Sequence, residues 1–396
     1  MGTDYTPYTT SVNTFFENSS DSLTNIQNAT QATILQESDL MKFQVKYARI
    51  HGYVSACVCL FGFLANIANI VVLTRKNMIT STNVILTCLA VADLFTMLDY
   101  FPFAMHFYIL KDPDLQFPST RGYGWICYLL FHANFSVVCH SCAIWLTIEL
   151  ATFRFVCIWF PTRGSAYCTV IRAIVCAAII LGSVLFLCVP NMIINNMKSS
   201  YSNITVGNTT RLDIVYNHVY REGGAFVHID KLNKMIQATI FKILPCFLLT
   251  VLTILLVVAM HRAYKRRMAL KNQGRRQESD RHGEHNRTTV MLLAVVVLFL
   301  LTELPQGILT IMGLIEERFF FEVYQPLGDI LDIMALCNNA INFVLYSTMS
   351  RQFRETFVST FCWFCPKSRP GWMKMELVKT KPTQNGNTMM TEHTHV

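Results

Sequence analysis

The sequence predicts an all-α membrane protein, a seven-transmembrane helix bundle followed by a short cytoplasmic interfacial helix. Three observations predict it. Of 396 residues, 52% are hydrophobic and only 15% charged, and the mean hydropathy of +0.35 is too high for a soluble globular chain. Seven long apolar runs follow one another: roughly Tyr53 to Thr74, Asn83 to Phe107, Trp125 to Phe155, Val170 to Pro190, Met235 to His261, Thr288 to Ile315 and Pro326 to Ser347. Glycosylation sequons and basic clusters fall on opposite sides of those runs.

Each run is long enough to span the ~30 Å hydrocarbon as a helix that satisfies its own backbone hydrogen bonds. Sequons for N-glycosylation stand at Asn18 and Asn28 before the first run and at Asn203 and Asn208 between the fourth and fifth. With seven spans these segments share one side, and acceptor asparagines there read as extracellular. Basic clusters lie on the other side: TRKNM after the first run, HRAYKRRMALKNQGRR after the fifth and SRQFRETF after the seventh. That is the positive-inside pattern, so the chain reads as a multi-pass protein of the plasma membrane with its N-terminus outside. Sequons at Asn134, inside the third run, and at Asn286, in the basic loop, have no access to the glycosylated side and read as chance matches.

The chain divides into an extracellular, glycosylated, disordered segment (1–49), the seven-helix domain (50–350), an interfacial helix (351–366) and a disordered cytoplasmic tail (367–396). Residues 1–45 are rich in Ser, Thr and Asn and have too few apolar residues for a core. They also lack the apolar stretch of a signal peptide, so the first span serves as its own targeting signal. The segment from Asn191 to Lys234 is the longest exterior connection and has room for a hairpin over the bundle mouth. After Ser350, RQFRETFVSTFCWFC sets Phe353 and Phe357 four residues apart with charges between them, the pattern of a helix lying at the lipid surface. Cys362 and Cys365 at its end are palmitoylation candidates. Thr394 and Val396 are spaced as a PDZ domain reads a C-terminus, by strand addition with a pocket for the last apolar side chain. The net charge of +8 fits a basic rim against anionic lipid, so the expected partner is membrane lipid and not nucleic acid.

One residue breaks the sixth run. In FLLTELPQGIL, Glu303 stands among apolar neighbours with no other charge from Thr288 to Ile315. A carboxylate near the middle of a membrane helix costs at least ~2.5 kcal/mol on insertion scales, so it must face protein or water and have a partner. Two mechanisms compete: a neutral Glu303 hydrogen-bonded within the bundle, or a charged one held by a cationic ligand group. Further acidic side chains are Asp99 in the second run and Asp329 and Asp332 in the seventh, the last two sharing one helical face. Asp93, Asn66, Asn338, Asn339 and Asn342 place polar groups at mid-depth on three helices. They form either an interhelical hydrogen-bond network that holds the bundle together or a hydrated pocket. His132 and His140 in the third run have no acidic residue between them and read as packing or hydrogen-bonding side chains.

Seven spans with an exterior N-terminus resemble a G-protein-coupled receptor, and the local motifs are similar to those of the rhodopsin-like class A. GFLANIANIVVLTR matches that family's asparagine at Asn66, and LAVADL its buried acid at Asp93. FRFVCIWFP keeps the spacing of its Asp-Arg-Tyr motif at Arg154 and of the following proline at Pro161. Pro245, Phe299 and Pro305 keep its spacing in the fifth and sixth spans. NFVLY stands for Asn-Pro-x-x-Tyr, giving Asn342 and Tyr346, with Phe353 following. Three departures stand out: Phe153 replaces the acidic neighbour of Arg154, Phe343 replaces the proline of the seventh span, and Glu303 takes the place of a tryptophan. Cys127 is two residues further from Arg154 than the family's disulfide cysteine, and no cysteine between Asn191 and Lys234 is there to pair with it. TELPQG, WLTIELATFRF and NNAINFVLYSTMSRQFRETF together look like the invertebrate myosuppressin and FMRFamide-type peptide receptors, a group related to sex-peptide receptors.

The resemblance implies an extracellular amidated peptide as ligand, a heterotrimeric G protein of inhibitory type and arrestin as cytoplasmic partners, and no enzymatic activity. It implies no cofactor beyond a structural sodium ion at Asp93, Asn339 and Asn342, favouring the inactive packing. It makes Arg154 a residue that holds the inactive state and then receives the G protein, with Tyr346, Asn342, Phe299 and Pro305 as switch residues. Phe153 cannot pair with Arg154, and Glu149 is on another face of the helix. Glu284 at the foot of the sixth span is therefore the remaining partner, and its loss is expected to raise basal signalling. No acid lies between Trp125 and Ile148, which argues against an amine ligand. A cationic ligand end reaching Asp99, Glu303, Asp329 and Asp332 fits instead, and a C-terminal Arg-Phe-amide is such an end. The alternatives are a class A receptor for a different peptide or small ligand, or a seven-helix transporter. The absence of repeats speaks against the transporter. A light sensor would need a lysine in the seventh span, and none is there.

Overall fold

The computed structural model describes residues 39–110, 122–206, 209–221, 223–272 and 276–361. Seven helices long and apolar enough to cross a membrane occur among them. They are α1 (Asp39–Leu73), α2 (Ser81–Ala104), α3 (Tyr123–Trp159), α4 (Val170–Leu187, continued by Val189–Ile194), α5 (Ala225–Ala238 and Leu244–Asn272), α6 (Arg276–Ile315) and α7 (Gln325–Met349). The surface helix α8 (Arg351–Phe361) follows. A short helix, Pro161–Tyr167, joins α3 to α4. The candidate sites at Asn18, Asn28, Asn208, Cys362, Cys365, Thr394 and Val396 lie outside the described residues, as do the side chains of Asn203, Glu284 and Phe299.

Local chemistry sets where these helices begin and bend. The Thr80 and Thr169 hydroxyls accept from the backbone of Asn83 (3.2 Å) and Arg172 (3.3 Å), capping α2 and α4. Ser350 caps α8 in the same way through Phe353 N–H at 3.2 Å. Two π-helical turns, Thr239–Ile243 in α5 and Phe320–Tyr324 ahead of α7, close on Leu244 and Gln325, and each closing residue immediately precedes a proline. Proline offers no N–H and its ring collides with the carbonyl four residues back, so the widened turn relieves both. In α5 this turn contains Lys242. The first helix starts at Asp39, ahead of the boundary at residue 50 that hydropathy sets. Hydropathy reads only the apolar stretch, whereas a nucleated helix propagates into polar sequence at little cost. α5 and α6 likewise run beyond their apolar stretches into the basic segment, to Asn272 and from Arg276.

Helices in lipid associate through close packing and polar contacts. α1 packs on α2 and α7, α2 on α3, and α5 on α6. A side chain at Gly62 would sit 2.8 Å from the Met97 sulfur, so the approach of α1 and α2 there is close and a larger residue would have to displace the Met97 side chain. At the α8 end Val72, Ile85, Leu150, Tyr346 and Phe353 form one cluster, against which Phe153, Phe343 and Phe357 pack. The two phenylalanines that replace an acid and a proline of the family motifs therefore serve as packing residues.

At the opposite end β1 (Asn195–Val206) pairs antiparallel with β2 (Thr209–Tyr220), Asn195 opposite Tyr220 and Val206 opposite Thr209. Every described cysteine is free, Cys127 among them. Side-chain amides anchor the hairpin instead. Asn134 of α3 accepts from Asn191 at 2.9 Å and Asn195 at 3.2 Å, and Asn191 in turn accepts from Asn233 (3.1 Å) and Gln237 (3.0 Å) of α5. The Asn134 sequon is thus built into an interhelical network.

Candidate functional site

A cavity of about 310 Å³ opens in the hairpin half of the bundle, lined by Tyr100 of α2, His132 and His140 of α3, Lys242 of α5, Gln306 of α6 and Asp332 of α7, among others. That size suits one or two ligand side chains.

The partner that Glu303 needs is within the chain. Glu303 is 1% exposed, and its Oε2 receives the Lys242 ammonium at 2.9 Å. Lys242 also donates to Gln306 Oε1 at 2.8 Å and lies 3.0 Å from His140 Nε2. His140 Nε2 is 3.3 Å from Glu303 Oε2, so the shorter contact assigns it as an acceptor from Lys242. Neither expected mechanism for Glu303 includes this internal counterion: Glu303 is paired within the bundle and is not among the residues lining the cavity. The sequence did carry a signal, since Lys242 is the lone charge in the fifth run as Glu303 is in the sixth. Two uncompensated opposite charges on neighbouring spans are each other's natural counterions.

The remaining acids separate in the same way. Asp99 is buried, 2.8 Å from His132 Nδ1, with its backbone carbonyl accepting from the Tyr128 hydroxyl. Asp329 accepts from the Tyr108 hydroxyl at 2.9 Å and Asp332 from that of Tyr100 at 3.0 Å. Both aspartates thus face α2 from one side of α7, as their spacing predicts. Tyr100 is held in turn by His51 Nε2 at 3.0 Å. Of the four predicted ligand-binding acids, Asp332 alone lines the cavity. Sequence reading passed over Tyr100 because a tyrosine in an apolar run carries no charge signal.

Towards α8, Asn342 Nδ2 donates to Asp93 Oδ2 at 2.9 Å, and Asn66 Nδ2 reaches the Asn339 carbonyl at 3.1 Å. Asp93 Oδ1 and Asn339 Nδ2 are buried with no partner among the described residues. A cavity of about 10 Å³ lies between Asp93, Thr147, Asn338, Asn339 and Asn342, room for about one water-sized particle. An orphaned carboxylate oxygen among amide and hydroxyl oxygens fits a small hard cation. Nearer the α8 end, Arg154 is buried and makes no hydrogen bond among the described residues, and neither carboxylate oxygen of Glu149 finds a partner. Tyr346 is buried beside them in the apolar cluster, and Pro305 is exposed on α6.

A seven-helix membrane bundle with a polar cavity walled by α2, α3, α5, α6 and α7, and a buried arginine without a hydrogen bond among the described residues at the far end of α3, is the architecture of a seven-transmembrane receptor. The model of the family described as "Serpentine type 7TM GPCR chemoreceptor Srw" matches residues 53–364, and the chain belongs to this family of G-protein-coupled receptors, signalling receptors and not enzymes. It is 32% identical to the G-protein coupled receptor dmsr-1 of Caenorhabditis elegans, covering 80% of this chain and 68% of the relative. It is 27% identical to the sex peptide receptor of Drosophila melanogaster (79% and 72% covered). The FMRFamide receptor of the same insect is 23% identical, with 78% and 53% covered.

Proposed function

We propose that the chain is a plasma-membrane receptor for an amidated peptide with an Arg-Phe-amide end, with the hairpin side outward, and that it activates a heterotrimeric G protein of inhibitory type. The observation that carries this reading is Asp332. It is the acid on the cavity wall, and among the described residues a tyrosine hydroxyl partners it and no lysine or arginine does. An arginine side chain entering the cavity supplies that cation and keeps its bidentate donors in place. The names of two relatives, receptors for sex peptide and for FMRFamide, support a peptide over an amine. Peptide binding then biases two packings of the bundle. α6 is the moving element, tied to α5 by Lys242 and Glu303 and carrying Pro305 inside the helix.

The test is a screen of amidated peptides on cells expressing the chain, read as guanine nucleotide exchange for each G-protein class. For any hit, a double-mutant cycle pairs Asp332→Asn with citrulline in place of the peptide's arginine. Citrulline should weaken binding to the wild type by about 30-fold or more and to the variant little. Equal losses in both backgrounds would remove Asp332 from the arginine site, and silence across the whole library would remove the peptide reading itself.

A further inference from the structure

The cavity floor holds a second recognition chemistry, and it is electrically neutral. Lys242 commits all three of its N–H bonds, to Glu303 Oε2 (2.9 Å), Gln306 Oε1 (2.8 Å) and His140 Nε2 (3.0 Å). The Glu303 carboxylate cancels the ammonium charge, so the lysine has neither a free proton nor an uncompensated charge to offer an anion.

Two primary amides on the same wall are pinned in opposite senses. Gln306 on α6 accepts from Lys242 through Oε1, which fixes the flip of its side chain and turns its NH₂ into the unused end. Gln237 on α5 donates through Nε2 to Asn191 Oδ1 at 3.0 Å and Asn233 Oδ1 at 3.2 Å, which leaves its Oε1 as the unused end. Both side chains line the cavity, and neither unused atom forms a hydrogen bond among the described residues. The wall therefore presents one fixed donor group and one fixed acceptor, on helices that move relative to each other in a switch of this kind.

From this we infer that the Gln237–Gln306 wall, neutralised by the Lys242–Glu303 pair, is a receptor for a neutral primary carboxamide that excludes a carboxylate. This rests on reading the cavity as a peptide site. A terminal –CO–NH₂ meets both requirements: its oxygen accepts from Gln306 and its NH₂ donates to Gln237. A terminal carboxylate has no proton for Gln237 Oε1 and would be buried without a counterion, since Glu303 already occupies the lysine. The pair is thus a specificity determinant that acts through charge cancellation, and the amide bridges α5 and α6.

The experiment uses cells expressing the full chain and competition binding. The probes are amidated peptides, FMRFamide first and then each hit of the screen above, each set against its free-acid twin. In the wild type the amide should bind at least about a hundredfold more tightly, the range of a site built around one hydrogen-bonding group. Glu303→Gln leaves Lys242 uncancelled, so the free acid should gain and the preference should fall at least about tenfold. Lys242→Gln with Glu303→Gln restores neutrality and should restore the preference, which a merely structural role for the pair would not do. Should Glu303→Gln fail to reach the surface, Gln306→Leu serves: it should weaken the amide and leave the acid unchanged. Equal binding of amide and acid to the wild type overturns the inference while leaving the peptide receptor standing. So does an unchanged preference in Glu303→Gln, or in Gln306→Leu. If no amidated peptide binds at all, the peptide reading fails and the carboxamide site falls with it.

Discussion

Lys242 and Arg154 are both cations inside the bundle, one near each end, and their surroundings differ. Lys242 meets a carboxylate, an imidazole and an amide within 3.0 Å. Arg154 meets no hydrogen-bond acceptor among the described residues, and the nearby Glu149 is equally unpartnered. The carboxylates around them are less sharply divided, since buried oxygens without a partner among the described residues occur in both halves, at Asp99 Oδ1 and Glu303 Oε1 as at Asp93 Oδ1. In the hairpin half Asp99, Asp329 and Asp332 each have a histidine or tyrosine partner. In the α8 half Asn342 partners Asp93 Oδ2 at 2.9 Å, while the Tyr346 hydroxyl and both oxygens of Glu149 have no partner among the described residues. A buried polar group without a partner costs free energy, so a state that leaves several of them unmet is raised relative to one that supplies partners. Lys242 is thus satisfied by its own neighbours, whereas Arg154 and Glu149 are groups that a partner docking at the α8 end would satisfy.

The sharpest way to break this comparison is to remove each cation in turn. Lys242→Ala strands the Glu303 carboxylate and should destabilise the receptor by about 3 to 5 kcal/mol, because breaking a buried pair leaves an uncompensated charge. Surface expression and thermal inactivation in detergent would report it, and adding Glu303→Leu should recover most of the loss. Arg154→Met should lower thermal stability little or raise it, while nucleotide exchange falls to background with peptide affinity retained. Equal destabilisation by the two substitutions would erase the distinction between the halves.

Asp93 tests the α8 half at a second point, with a smaller effect. Allosteric couplings are typically about 1 to 3 kcal/mol, or about 5- to 150-fold in affinity. If a sodium ion completes the Asp93 and Asn342 site, agonist affinity in the wild type should fall within that range as sodium replaces a large organic cation. Asp93→Asn should abolish the dependence at normal surface expression. An unaltered sodium response in that variant would leave Asp93 a residue that holds helices together.

Much of this was legible in the sequence because lipid imposes length, hydropathy and internal backbone pairing on every span. The seven helices follow from the length and hydropathy of the apolar runs, and the α8 amphipathic pattern and the shared face of Asp329 and Asp332 follow from residue spacing. What did not follow was which faces meet. The Lys242–Glu303 pair depends on the rotation of α5, and that rotation includes a π-helical turn forced by Pro245, a one-residue slip that hydropathy cannot register. The start of α1 at Asp39 was hidden for a different reason: helix beyond the hydrocarbon has no compositional requirement. Tyr100 and the two pinned glutamines are uncharged, and their importance comes from their neighbours.

The smallest expected effect lies at the hairpin, on the outer side of the bundle. His218 on β2 sits 2.7 Å from Asn195 Oδ1. Asn195 already donates its amide protons to Asn134 Oδ1 and the Asn191 carbonyl, so its oxygen is an acceptor and His218 Nε2 must carry the hydrogen. Burial lowers the pKa of this imidazole below its ordinary value, so the folded hairpin favours the neutral ring. The sign follows: the contribution to hairpin anchoring is fully present above the free histidine value of about 6.5 and is lost as the pH falls below it. Acidifying the outer solution from about pH 7.5 to about pH 5.5 should therefore loosen the hairpin, read as faster protease cleavage between β1 and β2. His218→Gln keeps a donor for Asn195 and removes the titration, so its cleavage rate should not change over that range. Because Asn195 hangs from the same amide network that pins Gln237, a weaker amide preference in acid that disappears in His218→Gln would extend the coupling from the hairpin to the ligand wall. An unchanged preference would confine the effect of pH to the strands.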